Sequence, residues 1–232
     1  MTVAVVVFPG SNCEHDVVYA LGSLGCEAEL VWHRDVDLTG FSGVVLPGGF
    51  AHGDYLRTGA IARFSPVMAE VRRMAEEGAP VLGICNGFQI LTEAGLLPGV
   101  LLANRDLRFI CRPVHLRVES TESILTRLAT VGDVLEVPLN SYEGNYTADP
   151  VEAAGVLLTY SDRAGKVSPA TNPNGSMDNI AGIANGAGNV AGLMPHPERA
   201  IDSLLGSTDG RVLLRSFAAS VAAFAEGRPA RV

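Results

Sequence analysis

The sequence has no long apolar segment, which excludes a helix that spans a membrane. Although 47% of its 232 residues are hydrophobic, no apolar run approaches the roughly 20 residues that such a helix needs. The short apolar run at residues 3–8 follows no positively charged region, so it predicts a buried first strand rather than a signal peptide. We therefore expect a cytoplasmic protein without membrane contact.

Positive charge and cysteine are both scarce. Lys and Arg number 17 against 25 Asp and Glu, which gives a formal net charge of −8. No basic stripe is present, so nucleic acid is not an expected partner. The four cysteines are not closely paired, so they do not form a disulfide framework, and a reducing compartment fits them.

Motifs for cofactors are missing as well. The sequence contains no Gly-Lys-Ser or Gly-Lys-Thr that would hold nucleotide phosphates, so this chain is not expected to use ATP itself. His15, His33 and His115 are scattered without the spacing of metal ligands, so no metal site is expected.

The order of apolar and helical segments in the sequence indicates an α/β fold. Apolar strands alternate with helical segments in the first half, which predicts a doubly wound, mostly parallel sheet flanked by helices. The expected strands are residues 3–8, 27–32, 43–46 and 81–84, and the expected helices run from Ser11 to about Leu24 and over residues 59–77. The length suffices for one core, so a single domain over residues 1–232 is expected.

The second half adds strands of a different character. Residues 112–118 alternate polar and apolar side chains, as a strand with one solvated face does. Further strands are expected at residues 134–139, 156–160, 179–184 and 189–193, before a last helix at residues 210–225. Asn185-Gly186 predicts a hairpin between the last two strands, so these additions are expected to be antiparallel.

A cysteine lies where the strand at residues 81–84 meets the next helix. Gly83 and Gly87 flank Cys85 two residues away on each side, the spacing of a nucleophile elbow, where a sharp turn leaves room only for glycine. The helix start beside the sulfur favours a thiolate. The alternative for this pentapeptide alone is a buried structural cysteine between two turn glycines.

A base for this nucleophile is predicted far downstream, in Pro195-His196-Pro197-Glu198. The prolines stiffen the segment and favour an extended His196. Glu198 would then reach one ring nitrogen of His196 and leave the other free to accept the thiol proton. The alternative is a surface turn in which two prolines end a strand.

Backbone N–H groups are needed to hold the oxyanion that thiolate attack on a carboxamide produces. Gly49 follows an apolar strand that ends in Pro47-Gly48, and Asn86 directly follows Cys85. We expect the N–H groups of Gly49 and Asn86 to form this oxyanion hole, although an ordinary turn is the alternative for the glycine pair.

With these three motifs the chain resembles the class I, triad-type glutamine amidotransferases, and this resemblance implies a flavodoxin-like fold. More narrowly, it resembles the glutaminase subunits of phosphoribosylformylglycinamidine synthases. The stretches that carry the resemblance span most of the chain: residues 8–13, 47–50, 53–57, 59–64, 83–91, 109–113 and 194–200.

The resemblance implies that Cys85 is the nucleophile, His196 the base and Glu198 its orienter. Gln89 lies one helical turn after Cys85, on the same helix face, and is expected to bind the α-substituents of a glutamine. The resemblance places Asn140 and Tyr142 in the same pocket. Many relatives carry His-Gly-Glu-Gly-Asn where this chain has residues 141–145, Ser-Tyr-Glu-Gly-Asn.

The implied activity is hydrolysis of glutamine to glutamate and ammonia for purine biosynthesis. The ammonia would pass to a large synthetase subunit that uses ATP and Mg²⁺ to convert formylglycinamide ribonucleotide to its amidine, with a small bridging subunit in the complex. Two alternatives remain at this point: a cysteine hydrolase of the DJ-1/PfpI type, and a catalytically inactive scaffold subunit.

Overall fold

A computed structural model describes residues 1–149 and 155–228 of the chain. Its strands are β1 Thr2–Val7, β2 Glu27–Trp32, β3 Phe41–Leu46, β4 Val81–Ile84, β5 Val100–Leu102, β6 Ile110–Val118, β7 Val134–Ser141, β8 Asn145–Thr147, β9 Val156–Ser161, β10 Ile180–Ala184 and β11 Val190–Leu193. Its helices are α1 Glu14–Ser23, α2 Val67–Glu76, α3 Asn86–Glu93 and α4 Gly210–Ala225.

Nine of these strands form one sheet in the order β2-β1-β3-β4-β11-β10-β9-β6-β7. Neighbours from β2 to β11 run parallel, and neighbours from β11 to β7 run antiparallel. The predicted fold class, a mostly parallel sheet with added antiparallel strands, is therefore confirmed. The Asn185-Gly186 hairpin is also confirmed, since β10 pairs antiparallel with β11.

The central parallel strands are buried on both faces. All four residues of β4 and of β11 are buried, which explains why these strands appear as continuous apolar runs rather than alternating ones. α3 packs on β4 and β3, and α4 packs on β3. A Cβ on Gly43 would lie 2.7 Å from the Val221 side chain, so glycine lets α4 approach the sheet closely.

Two predicted helix starts are wrong. The predicted helix over residues 59–77 begins only at Val67, because Gly59 has a φ of +77° and Pro66 forces Ser65 into an extended conformation. The helix predicted from Ser11 begins at Glu14. The Ser11 hydroxyl does not cap it, because this oxygen accepts a hydrogen bond from the Phe8 N–H at 3.0 Å.

Two short strands were not predicted. β5 and β8 have three residues each and pair antiparallel outside the main sheet. They are too short to show a periodic pattern in the sequence. Across the described ranges, no helix is long and apolar enough to cross a membrane.

The sheet order brings three loops to one edge. β3, β4 and β11 are parallel neighbours, with Leu46 opposite Gly83 and Leu193 opposite Ile84. The segments that follow these strands therefore leave the sheet side by side at its carboxyl edge, where open α/β sheets build their sites. These segments contain the residues predicted to be nucleophile, base and oxyanion hole.

Candidate active site

Cys85 lies on a strained turn between β4 and α3. Its φ of 51° and ψ of −107° are unfavourable for a residue with a side chain. A Cβ on Gly83 would lie 2.7 Å from the backbone of Gly87, and one on Gly87 would lie 1.8 Å from the carbonyl oxygen of Leu46. The two glycines are thus required by the close approach of strand and helix, as the elbow motif predicts.

We expect Gly87→Ala to destabilise the fold by about 3 kcal/mol or more, because the added methyl group overlaps the β3 backbone. Gly22→Ala is the matched control: Gly22 lies in helix α1, and its added methyl group would meet no atom within 4 Å, so this variant should be neutral or slightly stabilising. Urea unfolding of both variants measures the difference. Equal midpoints would contradict the packing at the elbow.

His196 and Glu198 form a buried pair after β11. The Nδ1 atom of His196 lies 2.7 Å from Oε1 of Glu198, and both side chains are almost fully buried. Burial by itself lowers the pKa of His196, but the negative charges of Glu198 and Cys85 outweigh burial and raise this pKa well above its ordinary value. Glu198 therefore orients the ring and stabilises its protonated form.

The second ring nitrogen of His196 is free for chemistry. Nε2 is buried and has no hydrogen-bond partner within the described ranges. The Cys85 thiol instead donates to the carbonyl oxygen of Asn140, with Sγ and O 3.6 Å apart. Catalytic hydrogen bonds are often loose before substrate binds, so a rotation of the thiol toward Nε2 would complete the nucleophile–base contact.

The two residues expected to supply oxyanion donors follow neighbouring strands, Gly49 after β3 and Asn86 after β4. Asn86 is the first residue of α3, so its N–H has no acceptor within the helix. The Gly49 N–H donates to no acceptor in the described part of the chain, and Gly49 has a φ of +153°. The Asn86 side chain accepts a hydrogen bond from the Ala51 N–H at 3.0 Å, which ties the loop after Gly49 to α3.

One cavity of about 370 Å³ collects most of the predicted site residues: Gly49, Cys85, Gln89, Asn140, Tyr142 and His196. A larger groove of about 1020 Å³ contains none of them. Gln89 lies in the cavity wall, but both ends of its amide are bonded within the protein. Nε2 donates to the Glu143 carbonyl at 2.6 Å, and Oε1 accepts from Asn86 at 2.9 Å.

The cavity also contains residues to which the sequence analysis assigned no role in catalysis or substrate binding. Asp54, Ser141 and Glu143 line it, and so do Cys13 and Arg199, which contact each other with Nη2 3.2 Å from Sγ. Asp54 lies in the loop after β3, at the carboxyl edge where open α/β sheets build their sites, and Glu143 directly follows Tyr142. Nothing in the sequence around Cys13 pointed to a site near His196.

Metal-ligating groups meet at one point of the site. Ligand atoms of Cys13, His196 and Glu198 lie within 4.8 Å of one another. The positive charge of the Arg199 guanidinium lies next to the Cys13 sulfur and disfavours the binding of a metal cation there. The Glu198 carboxylate is already bonded to Nδ1 of His196. We therefore assign no metal to this group.

Comparisons with known proteins identify the family. Residues 1–216 match the model of the CobB/CobQ-like glutamine amidotransferase domain. The phosphoribosylformylglycinamidine synthase subunit PurQ of Chlorobaculum tepidum is 53% identical over 96% of this chain and 98% of its own. The same subunit of Chlorobium luteolum is 52% identical over 93% of this chain and 96% of its own.

A solved structure agrees with these relatives. A chain in the structure of PurLQS from Thermotoga maritima is 41% identical and superposes with a TM-score of 0.85, covering 93% of this chain and 96% of that chain. Because relatives 52% and 53% identical over nearly the whole chain are PurQ subunits, the cysteine-hydrolase alternative is set aside. The chain belongs to the CobB/CobQ-like glutamine amidotransferase family and, within it, to the PurQ type, the glutaminase subunits of phosphoribosylformylglycinamidine synthase.

Proposed function

We propose that Cys85, His196 and Glu198 act together as a catalytic triad that hydrolyses the side-chain amide of glutamine. The observation that carries this proposal is the buried His196–Glu198 pair, whose free Nε2 shares a cavity with the Cys85 thiol. We also propose that the whole chain, residues 1–232, is one amidotransferase domain.

The reaction needs four steps. His196 Nε2 takes the Cys85 proton, and the thiolate attacks the carboxamide carbon. The N–H groups of Gly49 and Asn86 hold the resulting oxyanion. His196 then gives its proton to the departing nitrogen, which leaves as ammonia, and a γ-glutamyl thioester remains. Water activated by the same imidazole hydrolyses the thioester to glutamate and restores the thiol.

The ammonia needs an acceptor outside this chain. By likeness to the relatives named as synthase subunits and to the PurLQS chain, we propose that a large synthetase subunit receives it and uses ATP and Mg²⁺ for amidine formation. A small bridging subunit completes the proposed complex. A cytoplasmic location remains an expectation that fits this pathway.

The loop over residues 50–58 is the proposed point of contact with the synthetase subunit. His52, Asp54 and Leu56 all have positive φ values, each of which costs roughly 1 kcal/mol or more for a residue with a side chain. Tyr55 and Leu56 point outward and are 73% and 92% exposed. Arg57 pairs with Glu93 at the end of α3.

This arrangement links partner binding to the oxyanion hole. The loop follows Gly49 directly and is bonded to α3 through Asn86, both at Ala51 and at Asp54. A partner that fixes the loop would therefore fix the direction of the Gly49 N–H. Loss of one such donor lowers kcat about 10²- to 10³-fold. We propose that the isolated chain is a slow glutaminase for this reason.

Tyr55→Ala is expected to weaken the synthetase interaction about 5- to 30-fold, because exposed tyrosines are frequent interface anchors. Tyr19→Ala is the matched control, because it also removes an exposed tyrosine, but one on α1. It should not change the synthetase interaction. Glutamate release is measured for the chain alone, with the synthetase subunit, and with ATP and acceptor added.

Each comparison in this assay has a result that would contradict one of the proposals. A complex that releases no glutamate from glutamine would refute the proposed function. A free chain as fast as the complex would refute partner activation, and equal effects of the two tyrosine variants would move the contact away from the loop.

A further inference from the structure

A second cysteine lies beside the proposed base, and the proposed mechanism does not use it. Cys13 precedes helix α1, is 3% exposed and lines the same cavity as His196. Its thiol makes no capping hydrogen bond to α1. The Cys13 sulfur instead lies within 4.8 Å of a ring nitrogen of His196 and of a carboxylate oxygen of Glu198. This thiol is thus placed against the base and its orienter.

Gly48 lets the Cys13 thiol and the imidazole come close to each other. A Cβ on Gly48 would lie 2.7 Å from Cε1 of His196 and 3.1 Å from the Cys13 sulfur, so a side chain at this position would displace one of them. The Cys13 N–H donates to the Gly48 carbonyl oxygen at 3.2 Å, which ties the Cys13 backbone to the segment after β3. Backbone geometry as well as burial therefore holds the thiol next to the ring.

Arg199 donates a hydrogen bond to the same sulfur. Its Nη2 lies 3.2 Å from Sγ of Cys13, and its Nε donates to Oδ2 of Asp16 on α1 at 3.1 Å. Because a guanidinium has donors only, the sulfur is the acceptor in this contact. When His196 takes a proton, two positive charges lie beside one sulfur, and a polarisable acceptor there reduces their repulsion.

We infer that Cys13 is a positioning residue for His196: its sulfur, bonded to Arg199, holds the imidazole in place from the side of helix α1. Burial lowers the pKa of His196. Its charged neighbours Glu198 and Cys85 raise this pKa, and so does Cys13 to a smaller extent. The sulfur therefore helps the base to keep the proton that it takes from Cys85. This role rests on the proposed glutaminase function and adds to the triad a residue that takes no part in bond making.

The first test measures the pKa of His196 by NMR titration of the full chain with isotope-labelled histidine, where His196→Ala assigns the signal. Cys13→Ala removes the sulfur and leaves the Arg199 charge beside the ring, so the His196 pKa should fall by about one pH unit. Cys13→Ser keeps an oxygen that accepts from Arg199 and should preserve most of the wild-type pKa. Cys26→Ala is the matched control, because Cys26 is a buried thiol just before β2, and it should not change this pKa.

The second test measures glutamate release by the chain in complex with the synthetase subunit. Cys13→Ala should lower kcat about 10-fold and leave KM for glutamine nearly unchanged, because a displaced base slows proton transfer without removing contacts to the amide. The pH–rate limb controlled by His196 should move to lower pH in the same variant. Cys13→Ser should recover most of kcat, and Cys26→Ala should match the wild type.

Several results would overturn this role of Cys13. An unchanged His196 pKa in Cys13→Ala would do so, as would a serine variant that titrates like the alanine variant. Equal losses of kcat in Cys13→Ala and Cys26→Ala would show a general packing defect, and a change in KM alone would place Cys13 in substrate binding instead. If the wild-type complex releases no glutamate, the proposed function fails, whereas the NMR titration still decides whether Cys13 acts on His196.

Discussion

Cys85→Ala is expected to abolish glutamine-dependent synthesis and to leave ammonia-dependent synthesis by the reconstituted complex intact. Within the described ranges, Cys85 is the only cysteine on an elbow turn, and it shares the cavity with His196, so we expect it to form the thioester. Loss of a nucleophile from a triad lowers kcat by about 10⁴-fold or more. Free ammonia bypasses this chemistry, because it reaches the synthetase without glutamine hydrolysis.

The control for this variant is Cys111→Ala, which removes an exposed free thiol on β6. A glutamine-like chloroketone should label the wild type once, at Cys85, and should still label the Cys111 variant. Peptide mass spectrometry locates the adduct. Retention of most glutamine-dependent activity by Cys85→Ala, or an adduct on Cys13, would refute the nucleophile assignment.

His196→Ala is expected to lower glutamine hydrolysis almost as far as Cys85→Ala does. Without the imidazole, the thiol loses the base that the proposed triad supplies, and Glu198 is bonded to Nδ1 of His196 rather than to the thiol. Glu198→Gln should lower kcat less than His196→Ala does, because the amide oxygen can still accept a hydrogen bond from Nδ1 and hold the ring. kcat for glutamate release in the complex measures both effects.

The Glu198 variant also has an expected effect on pH dependence. The Glu198 charge raises the pKa of His196, so removing this charge should lower that pKa and move the pH–rate limb controlled by His196 to lower pH. His115→Ala is the matched control, since His115 lies on β6 and pairs with Glu136 at 3.2 Å. A loss of activity in the control equal to that of His196→Ala would remove the special role of His196.

The elements were predictable where local patterns are strong. β4 and β11 are short apolar runs, β1 is apolar after Thr2, and α4 begins and ends at the predicted residues. Predictions failed where local and long-range preferences compete. The helix predicted from Ser11 starts later, because the Ser11 hydroxyl accepts a hydrogen bond from the Phe8 N–H, and Pro66 delays the start of α2.

The site residues divide in the same way, into those with a local cause in the sequence and those without one. The spacing around Cys85 and the Pro-rich segment around His196 have local causes, namely the steric demand of a sharp turn and the stiffness of proline. The contribution of β7 has no local cause. This strand is the far edge of the sheet, yet Pro138 accepts a hydrogen bond from the His196 N–H at 2.8 Å and Asn140 accepts one from the Cys85 thiol.

The sequence by itself therefore determined the proposed chemistry, because a nucleophile, a base and its orienter need particular side chains at particular spacings in the chain. Only the tertiary structure decided how the cavity around them is built. Strand order brings β3, β4 and β11 together, and the folding of β7 over the site adds Ser141 and Glu143 next to Asp54. Such contacts join residues far apart in the chain, as between Thr58 and Glu143, and their geometry depends on the packing of the whole chain rather than on any local pattern.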